Sequence, residues 1–147
     1  MEAPASPPAR VFSLSALLLV VLGGAIGVAA RAALTLPFGA DAHPLVLPAL
    51  TLAVNVTGSL LLGILVGVLN GRMPHVRAFA GTGVLGGFTT YSAFSVHVVT
   101  TAGAAPVVGL ALAAVSVFAG ALAAAAGMRL GEHGRGPGRA ELTEGAP

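Results

Sequence analysis

The chain has 147 residues, of which 56% are hydrophobic and only 8% charged, and its formal net charge is +2. A mean hydropathy of +0.94 excludes a soluble globular domain, where about 25% of residues are charged. The small net charge offers no basis for nucleic-acid binding, and the lack of cysteine excludes disulfides, thiolate metal sites and cysteine nucleophiles.

A bilayer core of about 30 Å calls for roughly 20 apolar residues in helix. The sequence supplies four such stretches, which predicts an all-α membrane protein with four transmembrane helices. Residues 1–13 and 131–147 are rich in proline, glycine and charge, and are expected to be disordered. Residues 14–130 then form one membrane domain. Its connections are short, so neighbouring helices should run antiparallel.

The first span, Leu14 to Leu36, carries one charge, Arg31. It is longer than a signal-peptide core, which predicts an uncleaved helix. Arg31 follows Gly23 by eight residues and Gly27 by four. Two readings of it stand: a side chain snorkelling to the interface, or a buried one behind the glycine pair.

The second span, Leu45 to Leu69, has no charge. Thr51, Asn55, Ser59, Gly63, Gly67 and Gly71 recur every four residues, a stripe that drifts about 40° per step around a helix. For the glycines the pattern predicts close helix packing. Asn55 differs. A primary amide inside a membrane needs partners, and its NH2 is a neutral donor able to replace water around an anion.

The third span, Ala78 to Thr101, contains GTGVLGGFTTYSAFS from Gly81 to Ser95. A Gly-Gly pair followed by two β-branched threonines fits either a kinked continuous helix or a true break. Carbonyls freed at a break can hold a cation. Tyr91 and Phe94 lie three apart, on one helix face, where they either pack against a neighbour or turn positive ring edges toward an anion. His97 stands near the end of this span, and one histidine does not make a metal site. The fourth span opens at Pro106, ends at Arg129 and has a single hydroxyl, Ser116.

All five acids, Glu2, Asp41, Glu132, Glu141 and Glu144, fall outside the spans. Proton-coupled transport usually relies on an intramembrane carboxylate. Its absence counts against a proton-coupled multidrug exporter. A non-transporting scaffold is the other alternative.

GGAIGVAAR (Gly23–Arg31), NVTGSLLLG (Asn55–Gly63) and GVLGGFTTYSAFS (Gly83–Ser95) together resemble the Fluc, or CrcB, family of fluoride channels. The motifs stand in family order and spacing, one in each of the first three helices. The resemblance implies an antiparallel, dual-topology dimer in the cell inner (plasma) membrane, with a third helix broken at midplane. It implies fluoride as the permeant ion, exported passively, and a structural sodium ion at the dimer centre. By position, the sodium-holding carbonyls match Gly86 and Thr89, and the ion pathway matches Thr51, Asn55, Tyr91, Phe94, Arg31 and Ser116. A branched residue in place of Gly86 is then expected to resist the broken backbone. Tyr91 stands where phenylalanine is typical and His97 where glutamate is frequent, both departures from the family pattern.

Charge bias sets orientation. Arg10, Arg72, Arg77, Arg129, Arg135 and Arg139 lie on one side of a four-span chain, and Arg31 alone counts for the other. The sequence therefore predicts insertion mainly with both termini in the cytoplasm. The antiparallel mate is then a paralogue of opposite bias, or the same chain if a weak bias suffices.

Overall fold

A computed structural model of the chain describes residues 13–38 and 43–134; most of the segments expected to be disordered, 1–13 and 131–147, and the loop holding Asp41 lie outside the described residues. Among the described residues all regular structure is helical. We number the helices α1 (Leu14–Thr35), α2 (Val46–Leu69), α3 (residues 74–88), α4 (Tyr91–Ala104) and α5 (Pro106–His133). By length and composition α1, α2 and α5 can each cross a membrane uninterrupted. The predicted third span is not one helix but two, α3 and α4, separated by Thr89 and Thr90. Of the two readings left open by the sequence, the break is the one observed.

Helix α5 runs further than expected, to His133, past the predicted domain limit at residue 130. At about 1.5 Å per residue its 28 residues make a rod of roughly 42 Å, longer than a hydrocarbon core. Glu132 therefore lies in a helical last turn rather than in a tail, but still beyond the apolar stretch. The extension has a packing cause: Gly131 is buried in α5, with its Cα facing the backbone of Ile64 and Val68.

The burial pattern inverts that of a soluble protein. Leu17, Leu18, Val21, Leu22 and Ile26 on α1, and Leu110, Val117, Phe118 and Leu122 on α5, are exposed. The buried residues of α1 are only Gly23 and Gly27, and those of α2 include Thr51, Gly58, Gly63 and Gly67. In water so much exposed apolar surface would drive association. In lipid the large side chains are solvated, and small residues bring backbones together.

Two tight helix pairs result. Helix α1 lies chiefly along α3, and α2 chiefly along α5, whereas α1 and α2 barely touch. Most of α3 is a π-helix, Arg77–Leu85, a wide coil that usually marks a functional segment. Side chains are absent where it meets α1: a Cβ on Gly23 would reach the Phe79 carbonyl, and one on Gly87 the Gly24 carbonyl. In the other pair, Gly63 and Gly67 face the backbone at Ala124 and Met128, while Gly127 faces Leu60 and Ile64. The predicted packing role of the α2 glycines is what the structure shows, except at Gly71. That residue lies beyond the helix in a turn, at φ +79°, a conformation glycine adopts without steric penalty.

Helices α2 and α5 run parallel, with Ser59 beside Gly120, Gly63 beside Ala124 and Gly67 beside Met128. Carried one turn back, this register brings Ser116 level with Asn55.

Candidate functional site: a broken helix between two polar cavities

The break is built by three local events. First, the α3 backbone ends in helical geometry at Phe88, and Thr89 turns extended, at φ −77° and ψ 156°. The Thr89 hydroxyl donates to the Leu85 carbonyl at 3.0 Å, closing the α3 end on itself. Second, Thr90 is also extended and caps α4: its hydroxyl accepts from the Ala93 N–H at 3.2 Å. A threonine before the first helical turn is a normal capping choice. Third, Asn55 of α2 locks the gap. Its Nδ2 donates to the Thr90 carbonyl at 3.0 Å, and its Oδ1 accepts from the Thr90 N–H at 2.9 Å.

That pairing decides where the loose backbone groups go. In an unbroken helix the Thr90 N–H would donate to the Gly86 carbonyl. Here it serves Asn55 instead, so the Gly86 oxygen loses its helical donor. The negative end of α3 and the positive end of α4 meet at one point.

Around this point lie two cavities. The larger is a groove of about 600 Å3 between α2 and the broken helix, lined by Asn55, Ser59, Arg77, Thr82, Gly86, Thr89, Thr90, Tyr91 and Phe94 along with apolar residues. Tyr91 and Phe94 stack at a tilt, with ring centroids 5.9 Å apart and planes at 49°. Tyr91 is 81% exposed, and Phe94 is half-buried. The smaller cavity, about 190 Å3, is lined by Arg31, Thr35, Thr51, Thr90 and His97 together with Leu47, Val54 and Ala93. Thr90 belongs to both. Among the described residues no carboxylate lines either one.

The residues expected to share one ion path are therefore divided. Asn55, Tyr91 and Phe94 line the groove with Gly86 and Thr89, whereas Arg31 and Thr51 line the smaller cavity. Ser116 lines neither. Its hydroxyl is buried without a hydrogen-bond partner, at the level of Asn55. Arg31 is half-buried, and its Nε is buried without a partner.

The Gly86 backbone is plain right-handed helix, φ −65° and ψ −37°, and an added Cβ would meet only the Gly81 oxygen, at 3.9 Å. An alanine there would therefore fit, and the extended backbone of the break begins three residues later, at Thr89. Gly87 is the crowded position, against Gly24 of α1.

Two residues escaped the sequence reading. Thr90 is the partner of Asn55 and the cap of α4; a threonine directly before an apolar helix was the available signal. Arg77, counted there only as a topology charge, is the one cationic side chain among the described residues lining the groove. Among the described residues no group of three or more histidine and carboxylate side chains could hold a metal ion.

Comparison with known proteins bears on this geometry. A family model described as CrcB-like protein, Camphor Resistance (CrcB), matches residues 18–128. The chain is 45% identical over 126 residues to the fluoride-specific ion channel FluC 2 of Leifsonia xyli subsp. xyli, covering 78% of this chain and 82% of that one. It is 40% identical over 114 residues to the fluoride-specific ion channel FluC 2 of Bacillus subtilis, covering 76% and 84%. To the fluoride-specific ion channel FluC of Erythrobacter litoralis it is 50% identical over 93 residues, covering 58% and 68%.

Proposed function

The chain belongs to the CrcB family, and from that premise we propose that it is a subunit of a fluoride channel in the cell inner membrane, and not an enzyme. The observation that carries this is the break, where Asn55 holds Thr90 between two cavities lined by no carboxylate among the described residues. Hydrogen fluoride crosses membranes and dissociates in the more alkaline cytoplasm. A passive path lets the trapped anion leave down the electrical gradient.

The chemical difficulty is removing water from a small, strongly hydrated ion. One Nδ2 hydrogen of Asn55 goes to Thr90 and a second is left to donate. The positive end of α4 adds partial positive charge. Neither holds the ion as a full ion pair, which suits passage rather than retention.

A sodium ion fits the other side of the break. Hard cations take several oxygen ligands; Gly86 and Thr89 line the groove, and their backbone carbonyls would be the ligands. One subunit offers too few, so a second subunit completes the set across the open groove. The ion would fix the two broken helices and offset the negative end of α3. The same groove, with Tyr91 exposed, suits an antiparallel mate.

Fluoride efflux from liposomes holding the purified protein tests the function. Fluoride should leave far faster than from empty vesicles while chloride is kept; loss no faster than from empty vesicles would overturn the reading. The mate is tested by topology. Arg72, Arg77 and Arg129 cluster at the ends opposite Arg31, so C-terminal reporter fusions should report mainly the cytoplasm. Equal signal on both sides would favour pairing with itself over a paralogue.

A further inference from the structure

The smaller cavity holds two nitrogen-bearing side chains, Arg31 from α1 and His97 from α4, together with the hydroxyls of Thr35, Thr51 and Thr90. The hydroxyl of Thr35 is already committed, donating to the Arg31 carbonyl at 3.0 Å. The Arg31 Nε is shut away from solvent without a partner. A guanidinium N–H left unpaired out of water is unfavourable, and an anion is the ligand that relieves it best. A neutral imidazole beside such a site offers one donor. A protonated imidazole offers two, and a full charge.

We propose that this cavity binds a small hydrophilic anion together with a proton, the anion on Arg31 and Thr51 and the proton on His97. The channel reading supplies only its place on the ion route; the site itself stands on the cavity. Linkage makes the coupling mutual: anion affinity rises as pH falls, and anion binding draws a proton in by the same factor. A unit charge about 4 Å from an anion in water changes its occupancy roughly fivefold, which sets the scale of the effect.

No other described charge competes for the role. Helix α2 has no charged residue from Val46 to Leu69. On α5, Arg129, Glu132 and His133 lie in the last turns, by Gly67 at the far end of α2. On α4, Tyr91 opens to the groove. His43 takes the Leu45 N–H on its Nδ1, at 3.3 Å, and does not line the cavity. Asp41 is outside the described residues and serves as a control.

The test compares the full-length wild type with His97→Gln, His97→Asn and Asp41→Asn, each checked for wild-type elution on size exclusion. In weakly buffered detergent solution near neutral pH, sodium fluoride is added and proton uptake read with an indicator dye, sodium gluconate serving as the reference. Wild type and Asp41→Asn should take up a fraction of a proton per subunit, and the His97 variants none. In liposomes, wild-type fluoride efflux above the empty-vesicle background should be about fivefold faster at roughly pH 6 than at pH 8, and the His97 variants flat. Undiminished uptake in both His97 variants, or a pH dependence lost with Asp41→Asn instead, overturns the proposal. Efflux that is pH-independent in wild type, without proton uptake, rejects the site and leaves the channel standing. Proton uptake without any efflux does the reverse.

Discussion

Replacing Asn55 by aspartate is expected to cut fluoride efflux by at least about tenfold. The side-chain oxygen facing the Thr90 N–H is kept, but the group facing the Thr90 carbonyl becomes a second oxygen where Nδ2 now donates. A buried donor lost in this way costs about 1–3 kcal/mol, and an ionised carboxylate there costs more. The same change removes the remaining amide hydrogen offered to the ion and puts a negative charge in an anion path. Efflux from liposomes, with size exclusion to show that the protein is still assembled, checks it. Wild-type efflux from Asn55→Asp would remove Asn55 from both roles.

The second large effect is expected one residue beyond the proposed sodium ligand. Gly87→Val should abolish recovery of folded protein, because its first carbon would fall on the Gly24 carbonyl and backbone cannot move aside as a side chain can. Overpacking of this kind costs about 1–3 kcal/mol or more. Gly86→Ala should assemble normally, since its nearest contact would be 3.9 Å away. Yield of monodisperse protein compares the two directly. If Gly87→Val assembles as well as Gly86→Ala, the close approach of α1 and α3 is not what holds that pair together.

Much of this was legible in the sequence, and the reasons differ by element. Helices α1, α2 and α5 announce themselves through hydropathy alone, because every backbone polar group inside lipid must be satisfied within its own segment. The site of the break was marked by Gly86-Gly87-Phe88-Thr89-Thr90, but composition left open whether the helix broke. What settles it is Asn55, a partner 35 residues away, and no local pattern encodes that pairing. The π-helix at Arg77–Leu85 was invisible for a related reason. Its wide coil has no sequence period of its own, and it exists against the bare backbone of Gly23 and Gly27. The 40° drift of the α2 stripe, legible in the sequence, delivers Thr51 to one cavity, Asn55 and Ser59 to the groove, and Gly63 and Gly67 to α5; which neighbour each would meet was not.

The division into α1 with α3 and α2 with α5 bears on how the protein is made. Helices enter the bilayer in the order of synthesis, and the first two have almost no surface for each other. At roughly 5–20 residues per second, α1 spends seconds in lipid before α3 arrives. Helix α2 waits longer, until the Ala124–Gly131 stretch of α5 has been translated. Until Thr90 is made Asn55 has no partner there, and until α5 arrives the bare glycine face of α2 is open to any other small-residue helix nearby. Ribosome stalling between α2 and α5 would therefore expose the nascent chain to wrong partners and membrane proteases, so its yield should depend on elongation rate more than on the stability of the finished fold.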